Sequence, residues 1–241
     1  MLDHATVRVS DLDASRTFYD TVLRVLGLTA GPGGDYTEWG DFSIVHVEPA
    51  GRPTRRLHVA FFAPTHELVD AFWHTGTTAG YRSDGEPGPR PQYSDDYYGS
   101  FLLDPDGNSV EAVHHGRRRE PGAIDHLWLR TADISAVKRF YEAVAPHARV
   151  RLNHDAPDRV QFVGERGSFS FVSGEPTENV HLAFPARTND EVDAFHRALV
   201  AAGYRDNGAP GERRVYHAGY YGAFVLDPDG HNVELVNHNR G

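Results

Sequence analysis

Two hydrophobic periods alternate along this chain, and their order repeats. "ATVRVS" (residues 5–10) and "LWLRTA" (127–132) are short runs rich in β-branched and apolar residues, which predicts strands. After the first run, Leu12, Phe18, Tyr19, Val22, Leu23 and Leu26 fall at helical spacing, and Ser10 or Asp11 can cap the helix start. Further strands are predicted over "FSIVHVE" (42–48), "VQFVG" (160–164) and "SFSFVS" (168–173). A second cycle opens on "HVAFFA" (58–63) or "HLAFPA" (181–186) and continues into "ELVDAFW" (67–73) or "EVDAFHRALVAAGY" (191–204) as helices. Two closing strands are joined by "DPDG" at 104–107 and 227–230. In that turn Pro presets φ, Asp caps and Gly ends the reversal. The pattern is βαβββ, four times over.

The repetition extends to residue identity. Asp96–Glu111 and Gly219–Glu234 share 11 of 16 positions. "DLDASRTFYDTVL" (11–23) aligns with "DISAVKRFYEAVA" (133–145), and "LHVAFFAPTHELVDAFW" (57–73) with "VHLAFPARTNDEVDAFH" (180–196). The expected organisation is an α+β chain of two tandem modules, residues 1–117 and 123–241. A charged Pro-Gly linker lies at 118–122, within "RRREPG".

Strand alternation then sorts the polar residues onto one face. Val7 and Val9 suit packing on a helix, while His4, Thr6 and Arg8 face away; Leu127 and Leu129 likewise oppose His126, Trp128 and Arg130. His58 and His181 lie on the corresponding face of the strands that open the second halves. Glu111, Val113 and His115 share a face of one closing strand, and Glu234, Val236 and His238 of the other. Each module therefore offers two histidines and a glutamate, His4, His58, Glu111 and His126, His181, Glu234. Two imidazoles and a carboxylate form a facial triad for Fe2+, and also serve Mn2+, Ni2+ or Zn2+.

Composition narrows the alternatives. The 241 residues carry 24 Lys and Arg against 34 Asp and Glu, a net charge of −10, which disfavours nucleic acid and anionic membranes. The absence of cysteine removes thiolate catalysis and Cys-ligated metals. No signal peptide and no apolar run near the ~18 residues of a membrane span is read, so a cytoplasmic protein is expected.

On these residues the chain resembles the vicinal oxygen chelate superfamily of glyoxalases, extradiol dioxygenases and bleomycin-resistance proteins. "DHATVRVSDLDASRTFYDTVL" (3–23) and "GYYGAFVLDPDGHNVELVNH" (219–238) are similar to that family's opening and closing motifs. The resemblance implies paired βαβββ units curled into a cup, helices outside, with a divalent metal on the concave face. It places the ligands at the six residues above. It also leaves two pairings open: each module supplies its own triad, or His4 joins His181 and Glu234 while His126 joins His58 and Glu111.

The departures matter. Glyoxalase I enzymes of the family use a second glutamate, from the strand ending the first βαβββ unit. Here only Glu48, at a strand end, is available, and the second copy has no matching acid. Extradiol enzymes place a histidine ahead of a tyrosine in the closing block. His217 fills the histidine position, but Phe224 stands for the tyrosine; in the first module the two positions hold Ser94 and Phe101. His217 and Tyr221 are the expected catalytic residues, and Trp128, Arg130, Tyr220 and Phe224 the expected pocket. The expected activity is oxygenase or lyase/isomerase chemistry on a small diol, enediol or hydroxycarbonyl. The rival is a metal-free drug-binding protein. A small-molecule substrate and a second copy in a homodimer are the partners to consider.

Overall fold

The computed structural model describes residues 2–31, 34–48, 51–116 and 124–240. The expected linker at 118–122 lies outside the described residues. The chain divides into two compact units, Thr6–Leu129 and Met1–Ala5 with Arg130–Gly241. The division falls inside two strands, β1 (His4–Val9) and β8 (Ile124–Thr131), so each of these strands contributes residues to both units.

In the unit Thr6–Leu129, β1 is followed by α1 (Leu12–Leu23). Asp11, not Ser10, caps α1, its carboxylate accepting from Ala14 N at 2.9 Å. Phe18, Tyr19, Val22 and Leu23 form its buried stripe, at the spacing the pattern predicts. β2 (Tyr36–Trp39) and β3 (Phe42–His46) follow as a hairpin beside β1. β4 (His58–Phe62), α2 (His66–Thr78), β5 (Ser83–Pro89), β6 (Tyr98–Leu103) and β7 (Ser109–His114) make the second cycle. Their strands run in the order β5-β6-β7-β4-β8. β4 and β7 are parallel, which the α2 crossover makes possible, while β6 and β7 form an antiparallel hairpin. Phe42 and Phe61 meet edge to face, with ring centroids 5.1 Å apart, in the core under α1.

The other unit follows the same order, but three strands follow its first helix where, among the described residues, only β2 and β3 follow α1, so the first cycle is βαββ rather than the expected βαβββ. α3 (Ile134–Ala148), capped by Asp133, precedes β9 (Arg151–Ala156), β10 (Arg159–Val163) and β11 (Ser168–Ser173). β12 (Val180–Pro185), α4 (Asn189–Ala201), β13 (Arg205–Glu212), β14 (Tyr221–Leu226) and β15 (Asn232–Asn237) follow. β13-β14-β15-β12 are neighbours in that order, and Asp3 N donates to Ala183 O at 2.8 Å, laying the start of β1 along β12. Phe140, Tyr141, Phe162, Phe169, Phe171 and Phe184 fill the core. Among the described residues no helix is long and apolar enough to cross a membrane.

Candidate metal centres

The pleat assembles the ligand face. In β4, Ala60 lies opposite Glu111 on β7 and His126 on β8. His58 lies two residues away on the same face. Ala60 is small, so three longer side chains can close over it. His58 Nε2 is 3.0 Å and His126 Nε2 3.5 Å from Glu111 Oε2. The other unit matches: Ala183 faces Glu234, His181 Nε2 is 3.1 Å from Glu234 Oε2 and also 3.1 Å from His4 Nε2, and His4 Nε2 is 3.9 Å from the same carboxylate oxygen. In each set the ligand atoms lie within 4.8 Å of one another. The grouping is the exchanged one: His4 with His181 and Glu234, and His126 with His58 and Glu111.

These donors fit a divalent cation. Each glutamate is 1% exposed. Among the described residues its ion-pair partners are the two histidines of its own cluster. A buried carboxylate packed against two imidazoles favours a positive charge between them. The N, N, O donor set without sulfur suits Fe2+, Mn2+, Ni2+ or Zn2+.

The surrounding residues hold the ligands in place. Tyr97 OH donates to Glu111 Oε1 at 2.7 Å and Tyr220 OH to Glu234 Oε1 at 2.8 Å, leaving Oε2 of each turned to the histidines. Burial, and then the neighbouring glutamate, push both phenols far above the ordinary tyrosine value, so they remain neutral donors. Gly99 and Gly222 are required by this arrangement: a Cβ at either would collide with Oε1 of its glutamate.

Two residues that the sequence reading passed over orient the exchanged histidines. Asp3 Oδ1 is 2.8 Å from His4 Nδ1, and Asp125 Oδ1 is 2.8 Å from His126 Nδ1. Each carboxylate accepts a hydrogen bond from Nδ1–H and leaves Nε2 to face the cluster. Behind them His238 Nε2 is 3.0 Å from Asp3, and His115 Nε2 is 2.8 Å from Asp125. Burial works to raise the Asp3 carboxyl, but its bonds to His4 and His238 outweigh this and hold it below the ordinary value. The repeated "DH" at 3–4 and 125–126 was the available signal.

The remaining expected residues separate. Tyr220 reaches the centre; Tyr221 does not, because its OH donates to Asp193 on α4 at 2.9 Å. His217 connects to the centre only indirectly, through His238 (2.8 Å) and then Asp3. Phe224 lies 6.2 Å from the His181 ring, with the Arg213 guanidinium 5.5 Å above it. Phe101 and Arg90 repeat this beside His58, at 5.9 and 5.3 Å. Trp128 meets Tyr93 edge-on, at 6.1 Å, on the His58 side. Arg130 is exposed and runs along Gly174.

The Glyoxalase/Bleomycin resistance protein/Dioxygenase superfamily description matches this sequence twice, over residues 1–112 and 123–235. The chain belongs to that superfamily, and its fold is two tandem modules of it. Glyoxalase I from Zea mays superposes with a TM-score of 0.68 at 19% identity, covering 98% of this chain and 92% of its own. A candidate dioxygenase from Bacillus subtilis subsp. subtilis str. 168 gives 0.67 at 13% identity, covering 100% and 86%. At these identities the likeness is one of fold. No curated protein is a significant match to the sequence.

Proposed function

We propose that this chain is a divalent-metal-dependent enzyme with two centres, acting on a small substrate that presents two adjacent oxygens: a diol, enediol or hydroxycarbonyl. The observation that carries this is the convergence, twice, of two imidazole Nε2 atoms on one oxygen of a buried glutamate. His4, His181 and Glu234 would hold one ion, and His58, His126 and Glu111 the other. Bound there, the ion supplies Lewis acidity to substrate oxygens.

The chain's own residues supply the rest. Tyr97 and Tyr220 fix the glutamates; Asp3 and Asp125 fix two of the histidines. Phe101 and Phe224 offer an apolar wall, and Arg90 and Arg213 a positive charge over it, which suits an anionic substrate. The described metal-type groups contain three residues each and no second glutamate, and Glu48 is exposed beyond the end of β3. This sets the centres apart from the four-ligand glyoxalase I arrangement, with oxygenase or lyase/isomerase chemistry as the proposed activity.

Elemental analysis of protein purified without chelator or tag tests the reading. Two equivalents of metal are expected, falling to one in Glu111→Ala or Glu234→Ala and to none in the double variant. A metal-free chain that takes up no ion would overturn it and favour the ligand-binding alternative.

A further inference from the structure

The two centres have the same ligands but different supports behind one histidine. Behind His58 stands a chain that ends in a carboxylate. His58 Nδ1 is 3.1 Å from Ser109 Oγ, and Ser109 Oγ donates to Asp84 Oδ2 at 2.8 Å. A hydroxyl has one proton. Spent on Asp84, which only accepts, it leaves Ser109 Oγ as an acceptor for His58 Nδ1–H. The His58 lone pair is thereby assigned to Nε2, the atom facing Glu111 and the ligand position.

Behind His181 the corresponding residues are amides. Asn207 Nδ2 donates to Asn232 Oδ1 at 2.9 Å, and Asn232 Nδ2 contacts His181 Nδ1 at 2.8 Å. With its oxygen engaged by Asn207, Asn232 offers His181 a donor. That bond favours a lone pair on Nδ1 and a proton on Nε2, which points at Glu234 Oε2. An ion at Nε2 requires the opposite arrangement, with Nδ1–H donating to an amide oxygen, so both amides must turn end for end. The neutral chain permits either polarity, whereas the chain through Ser109 to Asp84 permits one.

We propose that the two centres are unequal: the His58–Glu111–His126 centre binds its ion more tightly and fills first, and positions 84, 109, 207 and 232 set the difference. The proposal rests on the metal-enzyme reading above. Asp84, Ser109, Asn207 and Asn232 act as positioning residues through the histidines. Outer partners of metal-bound histidines typically change affinity about 10- to 100-fold. Asp84 and Asn207 are exposed, so water competes for their bonds and about tenfold is the expected separation.

The test is calorimetric titration of the metal-stripped full chain with Mn2+. Two steps with dissociation constants about tenfold apart are expected. Glu111→Ala should abolish the tight step and Glu234→Ala the weak one. Asp84→Asn should weaken the tight step several-fold. The paired change Asn207→Asp with Asn232→Ser, which copies the other support, should tighten the weak step. Thermal melting of each variant separates these effects from loss of fold. Equal steps, reversed assignments, or a weak step unmoved by the paired change would overturn the inequality while leaving the metal reading intact. No uptake at either centre would overturn both.

Discussion

His231 and Asn108 occupy the same place after the two "DPDG" turns, and they are satisfied differently. Asn108 Nδ2 donates to Thr54 O and Asp104 Oδ2, both at 3.0 Å, and its Oδ1 accepts from Leu57 N at 3.1 Å. His231 is fully buried, and Val180 N donates to its Nδ1 at 3.3 Å, which puts the proton on Nε2. That Nε2 is buried with no hydrogen-bond partner among the described residues. Burial pulls His231 down to about 4, with Asp229 opposing weakly; burial pushes neighbouring Asp227 up to about 6 against its hydrogen bonds. The signs oppose. Between about pH 4 and the ordinary histidine value the unfolded chain binds a proton that folded His231 refuses, so its contribution to stability falls as pH falls. Asp227 binds its proton more readily when folded, so its contribution falls as pH rises through 6. His231→Asn should therefore gain about 1 kcal/mol near neutrality, by removing an unsatisfied buried donor. It should gain up to about 3 kcal/mol more near pH 4.5. Urea unfolding at the two pH values measures this, and parallel pH dependences in the two proteins would contradict it.

At the scale of elements, β6 and β14 decide the shape of the centres through one glycine each. Gly222 pairs with Val236 across the hairpin and leaves the space that Glu234 Oε1 occupies. Gly222→Ala should displace that carboxylate and abolish one equivalent of metal. Its stability cost should be that of overpacking, about 1–3 kcal/mol. Metal content beside a thermal melt distinguishes this from general unfolding, and full metal content in a folded variant would refute it. The four helices and the strands bearing ligands were legible in the sequence because each has a regular apolar period. β5 and β13 were not. Their sequences, SDGEPGP and RDNGAPGE, hold glycine and proline, and both are paired with register shifts against β6 and β14. β2 and β9 lack an extended apolar run, β2 burying only Thr37 and Trp39 and β9 being largely exposed, so pairing with their hairpin partners defines them. Strand alternation separates Tyr221, the expected catalytic residue, from Tyr220, expected in the pocket. Phe224 shares the face of Glu234, its register partner, so Tyr220 falls on that face and Tyr221 on the helix side.

Over the whole molecule, the six candidate ligands were legible because the chain carries two copies, yet their grouping was not. Alternation says which face a side chain takes but not which strand will lie beside it. The pairing of β4 with β8, and of Asp3 with Ala183, comes from tertiary contacts that no local period encodes. One centre consequently takes His4 from one end of the sequence and its other two ligands from positions 181 and 234, far along the chain. Asp3, which orients His4, lies in the same short segment. Deleting residues 1–5 should therefore open the His181–Glu234 centre and leave His58, Glu111 and His126 intact. The buried residues it removes, chiefly Ala5, contribute little core area, so the truncated chain should stay folded. Metal content should fall from two equivalents to one, and the equivalent retained should be the one that Glu111→Ala abolishes. Had each module supplied its own triad, the same deletion would instead disable the centre containing Glu111. Combining the deletion with Glu111→Ala and with Glu234→Ala thus separates the two pairings: the first combination should hold no metal and the second should still hold one equivalent.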